Sequence, residues 1–110
     1  MDETLVRVHI WVKGHVQGVG FRAFVADSAG FIGVNGWVRN VNWDTVEALA
    51  EGSRAQVDQF IQAVKTGPRA SRVNECRVEE EPATQSASST TQSGSSISAE
   101  FTGFEIRSSR

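Results

Sequence analysis

Val6, Val8, Ile10 and Val12 alternate with Arg7, His9, Trp11 and Lys13, a period of two that predicts a strand with one buried face. After a glycine-containing break, Phe21, Phe24, Val25, Ala29 and Ile32 recur at spacings of three and four, the apolar stripe of an amphipathic helix. That helix should end near Gly30 to Gly33, and Asn35-Gly36 should turn the chain into a second strand at Trp37–Val41. Neighbouring strand residues point to opposite faces, so Val38 and Asn40 share one face while Trp37 reads as core. Asn42-Trp43-Asp44 is a polar turn. Beyond it Val46, Ala48 and Ala50 alternate with Thr45, Glu47, Leu49 and Glu51, completing a hairpin that Gly52 ends. Ser53 and Gln56 have capping-box spacing, Val57, Phe60, Ile61 and Val64 form a second helical stripe, and Gly67-Pro68 stops it. A fourth strand is expected around Val73 to Glu79, and a short last one at Phe104 to Arg107 with Phe104 and Ile106 on one face.

The order strand, helix, strand, strand, helix, strand is the split β-α-β plan. It predicts an α+β, ferredoxin-like fold with two helices on one face of a mainly antiparallel sheet. A chain of 110 residues with 39% hydrophobic content supports one domain over residues 1–110 with a single core. The stretch Pro82 to Ser98 is rich in Ser, Thr and Gln, and its few apolar groups cannot offset the entropy of ordering it, so a flexible polar loop is expected at 82–98.

Charge and cysteine content narrow the function classes. A net charge of -2 gives no basic field to gather nucleic acid, so any anion site must be local. Cys76 is the only cysteine, which leaves no disulfide framework and no cysteine metal cluster and reads as a buried, inert thiol. With Asp2 and Glu3 near the start and no apolar run of membrane-spanning length, the expectation is a soluble cytoplasmic protein, with a monomer the expected state.

The chemistry concentrates in Gly14 to Arg22, read GHVQGVGFR, between the first strand and the first helix. Gly14, Gly18 and Gly20 allow backbone angles closed to other residues, so successive N–H groups can curl around one point at the positive end of the helix. Such a concavity suits an anion, and Arg22 in the first helical turn can pair a planar guanidinium with two of its oxygens. By itself, a Gly-rich turn more often serves only to let a strand meet a helix. Gly20-Phe21-Arg22 lacks the Gly-Lys-Ser/Thr ending of a P-loop. Gly18 to Ala23 does fit G-x-G-x-x-A, yet no acidic residue stands about twenty positions on for a dinucleotide ribose.

The chain resembles the acylphosphatase family. GHVQGVGFR at Gly14 to Arg22 matches the family's first signature and GWVRN at Gly36 to Asn40 its second. The similarity extends through the first helix and its exit, Thr66-Gly67-Pro68, and GFEIR at Gly103 to Arg107. The departure is 82–98, longer and more polar than the family's connection. The resemblance implies hydrolysis of the carboxyl–phosphate bond of small acyl phosphates, without cofactor, metal or covalent phosphoenzyme. It makes Arg22 the phosphate-binding arginine and Asn40 the residue orienting the attacking water. His15, Val16, Gln17, Gly18, Val19 and Gly20 become, with Arg22, the phosphate cradle, for which inorganic phosphate or sulfate should compete. The chemistry agrees, because phosphoryl transfer asks mainly for positioning and charge neutralisation, and a carboxylate leaves readily.

Other readings are weaker. His15 as a nucleophile lacks a partner acid and reads as a spectator, His9 has less support still, and Glu79, Glu80 and Glu81 read as a solvated strand end. The alternative from another class is a non-catalytic ferredoxin-like nucleic-acid or anion-binding module, because Gly20 to Val25 superficially resembles the aromatic signature of RNA-recognition domains. That signature belongs on a central strand, here it falls at a turn and helix, and no nucleic-acid or membrane partner is expected.

Overall fold

The computed structural model describes residues 5–81 and 103–108. The alternating segment forms β1 (Leu5–His15), followed by α1 (Phe21–Ile32), β2 (Asn35–Val41), β3 (Thr45–Ser53), α2 (Arg54–Thr66), β4 (Arg72–Glu81) and β5 (Phe104–Ile106). The sheet order is β4-β1-β3-β2-β5, with every pairing antiparallel except β2 with β5. This is the α+β, ferredoxin-like fold, with both helices against one face of the sheet. The expected polar loop at 82–98 lies outside the described residues.

The core lies between the helices and that face. Val8, Ile10, Val12, Val38, Val46, Ala48 and Ala50 from the strands meet Phe21, Val25, Ala29, Val57, Phe60 and Val64 from the helices. A fully buried valine, isoleucine or phenylalanine here is worth about 1.5–3 kcal/mol each, so this interdigitation dominates the favourable side of folding. Both helices carry the stripes expected of them. α1 ends on left-handed Gly33, whose N–H donates to the Ala29 carbonyl at 2.7 Å. α2 starts with a complete capping box, the Ser53 side chain accepting from the Gln56 N–H and the Gln56 side chain from the Ser53 N–H.

Several boundaries differ from expectation: β1 takes in Gly14 and His15, which were expected in the strand-to-helix turn, β4 is longer at both ends, and β5 stops before Arg107. Asn35 and Gly36 belong to β2 itself rather than to a turn before it, and Gly52 lies inside β3, which runs to Ser53. Gly36 has φ 147°, and a Cβ there would stand 1.8 Å from the Leu49 carbonyl oxygen; glycine serves close backbone approach rather than reversal. Its N–H donates to the Gly103 carbonyl at 2.9 Å, which starts the parallel pairing with β5. Phe104 then packs its ring 5.6 Å from that of Phe60, tying β5 to α2.

The other sheet face carries no helix, yet β3 is buried on both sides, including Thr45, Glu47, Leu49 and Glu51. Trp37 is buried as expected, but on this face and outside the apolar core. It is covered by the guanidinium groups of Arg39 and Arg107, each 4.9 Å from the ring centre, and met edge-on by His9. His9 stacks on Trp11 at 4.1 Å and contacts the Glu47 carboxylate through Nε2 at 2.6 Å, while Arg39 Nε donates to the other Glu47 oxygen at 2.7 Å. Arg7 pairs similarly with Glu51 at 3.0 Å. Charges and aromatic rings thus take the place of a second layer.

Burial acts to raise the Glu47 carboxyl, but the hydrogen bonds and charges of Arg39 and His9 outweigh it and hold the group below its ordinary 4.5. A folded-state value lowered in this way stabilises the fold fully above the ordinary value and ceases to do so as pH falls through the lowered one. Melting temperature followed from about pH 6 down to about pH 3 should therefore fall, and Glu47→Gln should flatten that dependence. At neutral pH the same substitution should cost roughly 1–3 kcal/mol, because Arg39 and His9 lose a charged acceptor in a half-buried place. A parallel pH dependence in the parent and Glu47→Gln would remove Glu47 from this account.

Candidate active site

Between β1 and α1 the chain crosses the end of the sheet in five residues, Val16–Gly20, and tertiary contacts fix this loop at several points. The Val16 side chain is fully buried in the core and Val19 packs against it. The Gln17 amide donates to the Thr45 carbonyl at 2.8 Å and reaches those of Val41 and Asn42 at 3.3 and 3.4 Å, fastening the loop to the β2–β3 turn. Just before it, the Gly14 N–H donates to the Asp44 carbonyl at 3.0 Å. The Gln17 side chain is therefore committed to the turn, and Val16 faces the core; of the cradle expected over His15–Gly20, these two have only backbone to offer. The His15 side chain is exposed.

Gly18 and Gly20 both take φ 76°, and a Cβ on either would meet no atom within 4 Å. The need for glycine is thus conformational rather than a matter of space. Gly20 is the N-cap of α1 and has no side chain to occupy the first N–H groups of the helix, and no acidic residue stands in the first turn. Such an end leaves its donors, and the positive end of the helix dipole, available to an anion.

This helix end opens into a hollow of about 230 Å³ whose walls include Gly18, Gly20, Arg22, Ala23, Asn40 and Ile106. The fold brings the two signature residues together from different elements. Arg22 comes from the first turn of α1, and Asn40 from β2, two residues after core-facing Val38 and on the same face. Arg22 Nη1 donates to the Arg107 carbonyl at 3.2 Å, just beyond β5, and the Arg107 N–H in turn donates to the Val38 carbonyl at 2.8 Å. β5 thereby links the guanidinium to the strand that carries Asn40. No hydrogen bond ties the Asn40 amide to the described residues, leaving its donor and acceptor to a molecule in the hollow.

Two contributors escaped sequence reasoning: the Arg107 carbonyl, because a backbone acceptor has no signature, and Ile106, whose place at the hollow follows only from the parallel pairing of β5. Phe21, one of two aromatics in the stretch that resembles an RNA-recognition signature, belongs to α1 and is buried in the core rather than displayed on a strand. Cys76 is half-buried rather than buried, and its burial pushes the thiol up despite Lys65 nearby. Among the described residues no helix is long and apolar enough to cross a membrane.

Comparison with known proteins places these features in a wider set. The acylphosphatase family model matches residues 8–91, which span both signatures. An acylphosphatase of Moorella thermoacetica is 48% identical over 80 residues, covering 72% of this chain and 86% of the relative. One from Aeropyrum pernix is 42% identical over 106 residues, covering 96% of this chain and 91% of the relative. The crystal structure of acylphosphatase from Bacillus subtilis superposes with a TM-score of 0.75 at 33% identity, covering 93% of this chain and 98% of that one.

Proposed function

The chain belongs to the acylphosphatase family and is a hydrolase of that kind, and from this we propose that it cleaves small acyl phosphates by direct attack of a water held by Asn40 on a phosphate held by Arg22 and the 15–20 backbone loop. The observation that supports this reading is the convergence of Arg22 and Asn40 on one hollow at the uncapped end of α1. The phosphate takes the N–H groups of the loop and of the first helical turn. The Arg22 guanidinium has five N–H donors, and with one bonded to the Arg107 carbonyl it retains enough for a two-pronged grip on phosphate oxygens.

Asn40 then orients water opposite the bond to the acyl oxygen through its amide, without acting as a base. Water's oxygen bonds to phosphorus as the phosphorus–oxygen bond to the acyl group breaks, giving a carboxylate, inorganic phosphate and a proton. The departing carboxylate needs no general acid, so the site can work by positioning and charge neutralisation alone.

Turnover of acetyl phosphate in the presence of a chelator, beside a simple phosphate monoester, tests this reading. Selective hydrolysis of the acyl phosphate is expected. Turnover that disappears with chelator, or equal turnover of the monoester, would replace it with a metal-dependent or general phosphatase. Inorganic phosphate and sulfate should also inhibit competitively and raise the melting temperature, since they bind only the folded cradle; at a hundred times the dissociation constant the stabilisation is about 2.7 kcal/mol. Arg22→Ala should lose most of that shift. Equal shifts in both proteins would mean a general salt effect.

A further inference from the structure

We propose that Ile106 forms the acyl-binding wall of the site and gives the enzyme a preference for acyl phosphates whose acyl group has an apolar body. This rests on the acyl-phosphate reading above and deepens it to a substrate class. Ile106 is half-exposed, at 50%, and is the one strongly exposed large hydrophobic side chain on the hollow among the described residues; Phe31 and Trp43 lie elsewhere. Its neighbour on the same face of β5, Phe104, packs against Phe60, so the strand is anchored while Ile106 stays uncovered.

The register explains the placement. Ile106 pairs with Val38, two residues before Asn40, and precedes Arg107, whose carbonyl receives Arg22 Nη1. The side chain therefore stands beside both groups that flank the phosphate. On the helix side of the same hollow stands the small, exposed side chain of Ala23. A phosphate drawn to the helix end and Arg22 must project its acyl group toward the open mouth, where Ile106 offers apolar surface and Ala23 leaves room. Acyl carbon that covers Ile106 removes apolar area from water on both partners, which an acetyl group is too short to do fully.

The test compares butyryl phosphate with acetyl phosphate. Burying two methylenes corresponds to about fifteenfold in kcat/KM, and burying them halfway to about fourfold. The parent should accordingly favour butyryl phosphate by about four- to fifteenfold. Ile106→Ser should bring the ratio close to one by lowering kcat/KM for butyryl phosphate several-fold more than for acetyl phosphate, and Ile106→Leu should retain most of the preference. A merely structural role would lower both substrates together and leave the ratio unchanged, overturning the proposal, as would a parent without preference. If the parent hydrolyses neither acyl phosphate, the functional reading itself fails and this inference with it.

Discussion

Arg22→Ala should abolish most of the catalytic efficiency toward acetyl phosphate, with a loss of about 10²–10⁴ in kcat/KM if two charge-assisted hydrogen bonds of ~1.5–3 kcal/mol each disappear. The helix end remains, but its partial charge cannot balance a phosphate whose charge spreads over three oxygens as the bond to the acyl group breaks. Both KM and kcat should respond, because the guanidinium serves the bound substrate and the transition state alike. The fold should survive, since Arg22 is half-exposed and its one side-chain hydrogen bond among the described residues is the donation to the Arg107 carbonyl, worth about 0.5–1.5 kcal/mol. Arg22→Lys is the finer probe. An ammonium keeps the charge yet cannot bond the Arg107 carbonyl and grip two phosphate oxygens in one planar arrangement, so it should restore only part of the loss. Near-parental efficiency in the lysine variant would show that a point charge suffices and that the fork geometry is irrelevant.

Asn40→Ala should act differently, lowering kcat by about 10²–10³, some 2.7–4 kcal/mol, while inhibition by inorganic phosphate stays almost as in the parent. The separation follows from position. Asn40 comes from β2, across the hollow from the loop and α1, which supply the proposed phosphate donors. Asn40→Asp keeps the shape but brings a negative charge toward an anionic substrate, so it should be no better than alanine unless a carboxylate there can act as a base. Steady-state kinetics with circular dichroism to confirm folding decide between the roles. Equal loss of phosphate affinity and turnover in Asn40→Ala would make Asn40 a binding residue, and full activity in Asn40→Asp would mean that water is activated by base catalysis.

Much of the architecture was legible because local pattern and tertiary structure agree. The alternation from Val6 to Val12 is the buried face of β1, and the Ser53–Gln56 capping box marks the start of α2. The strand-to-helix glycines were readable for a related reason, since left-handed angles at Gly18 and Gly20 are a local demand that the letters display. What the letters hid depends on partners distant in the chain. Gln17 was read only for the backbone it lends the cradle, and the letters gave no sign that its side chain bonds three carbonyls more than twenty residues away. Glu47 and Glu51 stand opposite the apolar half of an alternating strand, yet both are buried because Arg39, His9 and Arg7 converge on them across neighbouring strands. His9 could have been connected to Glu47 only from the register of β1 against β3, which sets Trp11 opposite Glu47 and leaves His9 diagonal to it. Trp37 shows the same limit: alternation set it on the face opposite Asn40, but not that this face lies outside the apolar core.

The brevity of β5 has a consequence for how the enzyme withstands heat. Three residues at the sheet edge, held by parallel pairing to β2 and the Phe104–Phe60 contact, carry the Arg107 carbonyl that receives Arg22. An edge strand of this length opens at lower free energy than the β1–β3 centre, whose nine paired positions open only with the whole domain. Each such opening releases the guanidinium from its anchor without disturbing the core. Activity should therefore decline on warming along the fraying curve of the edge strand, several degrees ahead of the cooperative loss of helix signal, and amide exchange at Arg107 should report the active fraction more faithfully than global melting does.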